Sequence, residues 1–342
     1  MLWKFILVLM VSTAGSFAAT GFLIPQLRKN GLLDVPNQRS SHVIPTPRGG
    51  GLGIICGIVI GYFVAFALGI RPVSLNLFAA VALIALVGFL DDRTRGLPVY
   101  LRFACQVLAA SVVIVETGPI QSLPLPEPLS IPLATFSWPL TMLWIVGVTN
   151  IYNFLDGIDG FAALQGVIAG LGLFLVAGSS PFGMLGLAIT GGCAGFMAHN
   201  WHPARVFMGD AGSYTVGFLI STLPLQLPTQ TRSNAVFATA LCLWFFLSDG
   251  AFTIVRRLLR REKIWSAHRS HLYQRLVISG LRHDQVTLRV LGIGSVMAAL
   301  AITTVWVSAA LVRWLALATA LALFFAYLRW TLARERSVAI RS

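Results

Sequence analysis

The sequence predicts an all-α, polytopic membrane protein of about ten or eleven transmembrane helices with a functional site at its cytoplasmic face. Three observations carry this. Of 342 residues, 56% are hydrophobic and only 11% charged, where a soluble chain keeps about a quarter charged. Apolar runs of about 18 residues or more recur from end to end, each long enough to cross ~30 Å of hydrocarbon as a helix. The few basic residues gather in every second connection between those runs.

In chain order, the first span is 3–25. "MLWK", an apolar core and "SFAA" loosely imitate a secretory leader. Apolar sequence continues to Ile24, however, and nothing downstream reads as a secreted domain, so this segment is expected to remain as a helix. Spans follow at 49–70, opened by the glycine-rich "PRGGGLG", and at 73–90, closed by "GFLDD". After 100–118 comes the Pro-rich 119–139 stretch, read as an ordered or semi-rigid outer loop, and then 138–155, 161–178 and 182–200. A short span at 213–226, then 234–256, 286–308 and 312–331, complete the set. Cys56, Cys105, Cys193 and Cys242 each lie inside an apolar span without paired spacing, which reads as packing rather than disulfide or metal. No internal repeat is visible, and residues 1–342 read as one integral membrane unit.

Placing the N-terminus outside puts the connections at 26–48, 91–102, 156–160, 201–212 and 256–289, and the tail from 329, in the cytoplasm. These hold 21 of the 25 Lys and Arg; Lys4, Arg71, Arg232 and Arg313 fall on the other side. The positive-inside rule fixes this orientation. Part of the net charge of +13 is this bias, so it is no argument for nucleic acid, and basic residues beside the bilayer suit anionic lipid headgroups.

Only twelve acidic residues exist, and ten fall on or near the cytoplasmic side. Asp91, Asp92, Asp156, Asp159, Asp210 and Asp249 lie at span ends or inside spans, where an ionisable group is costly and usually functional. The bland alternative is that each caps a helix start. Asn150, Asn153, Asp156 and Asp159 recur at steps of three through "NIYNFLDGID". Carboxylates converging on one mouth would repel one another unless a cation sits among them, and all-oxygen donors suit Mg²⁺ (or Mn²⁺). No His/Cys set with zinc spacing is present. Around the acids lie phosphate-type donors, Arg39, Arg48, Arg102, His268, Arg269 and His271. An acidic metal site with a basic rim on a membrane face points to phosphoryl transfer to or from a lipid.

Five motifs occur in order: "DVPNQRSSHVIPTPRGGGLGI" (34–54), "GFLDD" (88–92), "NIYNFLDGIDGFAAL" (150–164), "FMGDAGSYTVGF" (207–218) and "SDGAFTIVRRLLRRE…AHRSHLYQRL" (248–276). Together they resemble the polyprenyl-phosphate N-acetylhexosamine-1-phosphate transferases, and the "AHRSHLYQRL" form is most similar to the O-antigen-initiating subgroup. The resemblance implies transfer of a sugar-1-phosphate from a UDP-sugar to undecaprenyl phosphate, release of UMP, and a multi-pass protein of the bacterial inner membrane. It implies that Asp210 and Asn153 hold Mg²⁺ and that Asp156 supports the metal shell. Asp159 would contact the uracil, and Asp91 and Asp92 would lie beside the acceptor phosphate. His268, Arg269 and His271 would hold the pyrophosphate or sugar, with Asn150, Arg39 and His42 in the substrate-binding set. Two departures stand out. A His-x-His-His pattern common in the family is "HLYQ" (271–274) here, so only His271 matches. A lysine common after the paired aspartates is missing from "RTRGLPVYLR" (93–102), where Arg102 is the substitute.

A phosphate monoester has its second pKa near ~6, so an acceptor of this kind is largely dianionic at neutral pH and Asp91 is expected to position rather than deprotonate it. An ion-coupled transporter is the alternative. It predicts symmetric halves and polar groups at mid-membrane, whereas here they gather at one face. Donors in the subgroup that the chain resembles include UDP-N-acetylfucosamine and UDP-N-acetylglucosamine, and a homodimer is among the expected partners.

Overall fold

The computed structural model describes residues 2–36, 44–94, 96–263, 268–307 and 309–339. Arg39 and His42 lie outside the described residues. Every apolar stretch falls on helix: α1 (Leu2–Lys29), α2 (Gly51–Ala67), α3 (Leu75–Thr94), α4 (Val99–Thr117), α5 (Ser137–Phe154), α6 (Phe161–Ala177), α7 (Pro181–Asn200), α8 (Gly209–Thr222), α9 (Thr229–Cys242), α10 (Trp244–Leu259), α12 (His283–Trp306) and α13 (Ala310–Ala339). The reason is general: in lipid a backbone must satisfy its own N–H and C=O groups, which a helix does. A short α11 (Leu272–Ile278), not expected from the sequence, lies in the long basic connection.

Among the described residues, six helices, α1, α3, α4, α7, α12 and α13, are long and apolar enough to cross a membrane, while α2 and α6 are apolar but shorter. The expected 234–256 span differs. It breaks at Leu243 into α9 and α10, bent by 78°. Gln165 of α6 donates to the Cys242 carbonyl (2.9 Å) at the break, and Trp244 Nε1 donates to the Ala320 carbonyl of α13 (2.6 Å). These partners outside the helix let the break be buried without stranding a polar group.

At the centre stands α8, whose 14 residues are all buried, packed mainly against α3 and α5 and also against α2, α6 and α9. Being enclosed by protein, it needs no lipid-spanning length. Helices α1, α2 and α7 form a tight trio, with Ser12 and Ser16 of α1 facing Gly57 and Gly61 of α2 and Gly191 and Gly195 of α7. Small residues permit this approach, and close packing is what holds helices together in lipid.

The bundle has two distinct ends. At one, Lys4 Nζ donates to the Leu68 carbonyl, Ser74 to Glu116, Arg232 to the carbonyls of Gly118 and Pro119, and Trp314 to the Glu127 carbonyl. Ser122 and Pro132 form an isolated bridge within the Pro-rich loop. At the other end a two-residue antiparallel pair, β1 (Leu33–Asp34) with β2 (Thr46–Pro47), is extended by backbone bonds onto Phe207 and Met208: Phe207 N–H to the Pro47 carbonyl, Gly50 N–H to that of Phe207 and Gly51 N–H to that of Met208. This strap fixes the start of α2 to the start of α8.

Candidate active site

The strap delivers Arg48 to the first turn of α8. Its Nη2 donates to Asp210 Oδ1 (2.7 Å) and its Nε pairs with Asp92 Oδ1 (2.8 Å). Burial opposes a charge on Arg48, but Asp210 and Asp92 outweigh it and raise the guanidinium above its ordinary value. Asp92, in the last turn of α3, accepts the backbone N–H groups of Asp210 (2.9 Å) and Ala211 (3.1 Å), so it caps α8 from a neighbouring helix. Gly209 makes this possible. Its φ is +74°, and a Cβ there would meet both Asp92 carboxylate oxygens at 2.6–2.7 Å.

Asn153, in the last turn of α5, donates from one amide nitrogen to Asp210 Oδ1 (2.9 Å) and Ser213 Oγ (2.8 Å). Arg102 Nη1 lies 3.5 Å from Asp91 Oδ2 and 3.9 Å from Asp210 Oδ2, and donates to the Tyr214 hydroxyl. Asp91 itself accepts the Leu97 N–H (2.6 Å), fixing the turn between α3 and α4. Asp156 is half-buried in the α5–α6 loop. Burial pushes its carboxyl well above the ordinary range, against the pull of Arg48, and the carboxylates of Asp210, Asp92 and Asp159 push the same way.

A second cluster meets on Asp159. Its Oδ2 lies 2.6 Å from His202 Nδ1, 3.2 Å from His283 Nδ1 and 3.2 Å from the Ala204 N–H that donates to it. Burial alone would raise this carboxyl, but hydrogen bonds with His283, His202 and Ala204 outweigh it and hold it below its ordinary value.

A third carboxylate organises the basic connection. Asp249 of α10, almost fully buried, accepts the N–H groups of Leu272 (2.9 Å) and Tyr273 (3.1 Å), lies 3.1 Å from His271 Nδ1 and accepts the Tyr327 hydroxyl. It therefore caps α11 and holds the His271 ring. The Tyr273 hydroxyl donates to the Phe154 carbonyl, tying this segment to the end of α5 beside Asn153. His268 stacks obliquely on His271 with ring centroids 5.0 Å apart. Burial, with His271 and Arg257, lowers its pKa to about 4. The ring is thus neutral at pH 7. Its Nδ1 accepts from Ser270, which leaves Nε2–H as the free donor.

Of the residues singled out in the sequence, Asp92, Asp210, Asn153, Asp91 and Arg102 therefore meet in one contact network. Asp156 lies within its electrostatic reach, and His268, Arg269 and His271 belong to the segment docked on α5. Asn150 points elsewhere: its amide pairs with Gln106 of α4 and the Val146 carbonyl, one turn deeper. In the sequence Arg48 reads only as a phosphate-type donor, and nothing there singles out His202 or His283. No local spacing announces a pair 81 positions apart; the one clue is that His202 lies two residues past the end of α7 and His283 opens α12.

The family model described as glycosyl transferase family 4 matches residues 74–227. A probable undecaprenyl-phosphate N-acetylglucosaminyl 1-phosphate transferase of Bacillus subtilis (strain 168) is 33% identical over 302 residues, covering 82% of this chain and 80% of that protein. The chain belongs to glycosyl transferase family 4. A decaprenyl-phosphate N-acetylglucosaminephosphotransferase of Mycobacterium tuberculosis (strain ATCC 25618 / H37Rv) is 30% identical, covering 80% of this chain and 76% of its own length. A phospho-N-acetylmuramoyl-pentapeptide-transferase of Heliobacterium modesticaldum is 31% identical, covering 67% and 76%. As a member of glycosyl transferase family 4 the chain is a multi-pass membrane enzyme. The matched family segment holds Asp91, Asp92, Asn153, Asp156, Asp159 and Asp210, while Arg48, Asp249, His268, His271 and His283 come from outside it.

The site fits a divalent ion chemically. Asp91, Asp92 and Asp210 set three carboxylates against the guanidinium groups of Arg48 and Arg102, with the Asp156 carboxyl within electrostatic reach. With an Asn amide beside them, this excess of oxygen donors is the set expected for Mg²⁺ or Mn²⁺.

Proposed function

We propose that the protein transfers an N-acetylhexosamine-1-phosphate, or its N-acetylfucosamine counterpart, from a UDP-sugar to undecaprenyl phosphate at the cytoplasmic face of a bacterial inner membrane. UMP is the co-product, and the reaction initiates an O-antigen or related envelope glycan. The observation that carries this reading is the Arg48–Asp92–Asp210–Asn153 network at one end of an apolar bundle, in a family whose named relatives act on polyprenyl phosphates. The N-acetylglucosaminyl names of those relatives favour a UDP-N-acetylglucosamine donor.

The reaction joins two anions. An oxygen of the lipid phosphate attacks the donor's β-phosphorus, a new P–O bond forms, and the pyrophosphate bridge breaks to leave UMP. Asp210 and Asn153 would hold Mg²⁺, which when bound supplies charge neutralisation for the pyrophosphate. Arg48 and Arg102 flank the same carboxylates and offer guanidinium forks to phosphate oxygens. Asp91 holds the Leu97 turn and Asp92 caps α8, so both act by placing neighbouring groups, in keeping with an acceptor that is already dianionic. His268 donates one neutral N–H from its Nε2.

The test is UMP release by the purified full chain in detergent with undecaprenyl phosphate and, in turn, UDP-N-acetylglucosamine, UDP-N-acetylgalactosamine and UDP-N-acetylfucosamine. Release with one of them that needs Mg²⁺ and the lipid supports the proposal. Absence of release with all three, from folded protein, removes it.

A further inference from the structure

We propose that Asp159, His202 and His283 form a binding site for a borderline divalent cation, Zn²⁺ in preference to Mg²⁺, built from side chains other than those around Asp210. The three residues come from three elements: the α5–α6 loop, the α7–α8 connection and the first position of α12. Each offers one ligand atom, and the three atoms lie within 4.8 Å of one another.

The chemistry of the donors sets the choice of ion. Two imidazole nitrogens and one carboxylate oxygen suit Zn²⁺, whereas Mg²⁺ prefers an octahedron of oxygens. With zinc–ligand bonds of ~2.0–2.2 Å in a tetrahedron, ligand atoms stand roughly 3.4 Å apart. Asp159 Oδ2 and His283 Nδ1 are already 3.2 Å apart; Oδ2 and His202 Nδ1, at 2.6 Å, must open by under about an ångström. His202 is the arm that can do so, since its side chain is 31% exposed while the other two are buried. A fourth position on its exposed side remains for water.

The hydrogen bonding around His283 points the same way. Its Nδ1 lies 3.3 Å from the Asp159 backbone N–H, which needs a lone pair there, and 3.2 Å from Asp159 Oδ2, which needs a proton there. One nitrogen cannot meet both demands. A cation between the Nδ1 lone pair and Oδ2 turns the opposed pair into two ligands. Asp159 is meanwhile held from behind, by the Ala204 N–H on Oδ2 and by Thr287 Oγ1 donating to its carbonyl, the supporting bonds a ligand carboxylate requires.

The test is equilibrium dialysis of Zn²⁺ against the full chain in detergent, with any polyhistidine tag removed, beside the visible spectrum of the Co²⁺-loaded protein. One saturable zinc per chain is expected, weakened more than about tenfold in His202→Gln and His283→Gln. Asp210→Asn should keep it, and the Co²⁺ bands should change in His202→Gln. Half-exposed His202 is the substitution least able to harm folding, and an unchanged thermal midpoint verifies this. No saturable zinc in the wild type, equal affinity in His202→Gln, or loss of the zinc only in Asp210→Asn each overturns the proposal. Asp159 is also the residue that the family resemblance sets against the uracil, but none of these readouts depends on the transfer reaction, so failure of this site and failure of the proposed activity are distinguishable.

Discussion

Asp92 and Asp210 are joined through a backbone hydrogen bond, yet replacing each by asparagine tests a different property. Asp210→Asn removes charge where the proposed ion sits, so transfer should fall by ~10²-fold or more while the thermal midpoint hardly moves. Asp92→Asn weakens the cap on α8 and should cost about 1–2 kcal/mol, read as a lower unfolding midpoint in detergent. Equal thermal losses in the two variants would contradict this division. His268 gives a pH test. Its folded-state pKa, about 4, lies below the ordinary histidine value near 6.5, so the unfolded chain binds its proton first as pH falls. Native stability is therefore lost between pH 6.5 and about 4 and stops declining on this account below that. The midpoint of His268→Gln should consequently drop less than that of the wild type between pH 7 and pH 4.5. The acids were legible in the sequence because a carboxylate is rare in so apolar a chain. His202 and His283 were not, because only the tertiary fold brings the ends of α7 and α12 to one oxygen.

At the scale of elements, the start of α8 depends on Gly209. Alanine there must adopt a left-handed φ, costing ~1–2 kcal/mol, and its Cβ displaces Asp92. Gly209→Ala should lower both the midpoint and transfer, while Gly147→Ala, where a Cβ meets nothing within 4 Å, should leave both intact. Under the proposed activity, donor choice is expected to belong to the connection around α11, because whatever grips the nucleotide must be common to all UDP-sugars. Exchanging residues 257–285 for those of an N-acetylglucosamine-specific relative, with His268, Arg269 and His271 kept, should alter the ratio of two competing donors. A site that hydrogen-bonds a hydroxyl rejects the analogue lacking it far more strongly than an apolar pocket can. An unchanged ratio with activity intact moves the determinant elsewhere. Helix positions were readable from apolar length alone. The break at Leu243 was not, since neither Pro nor Gly marks it and its support comes from Gln165 and Trp244. The seven residues of α11 were too few to show a period, and two-residue strands leave no pattern.

For the whole molecule, charge predicts an orientation. Lys4, Glu116, Glu127 and Arg232 gather at the end opposite Arg48 and Asp210, and which end faces the cytoplasm is the expectation to be tested. Single cysteines placed at 127 and 262 should therefore react with impermeant reagents from opposite sides of intact membranes, 262 from the cytoplasm. The reverse pattern would invert the topology and put the carboxylates outside.

The strap that clamps Arg48 also insulates it. Leu33 pairs with Pro47, Asp34 with Thr46, and Phe207 N–H bonds the Pro47 carbonyl, so the guanidinium is held by backbone bonds that involve neither Arg39 nor His42. Substitutions at those two residues, which the sequence assigns to the substrate-binding set, should therefore change what substrate is held without moving the charge two residues beyond Thr46.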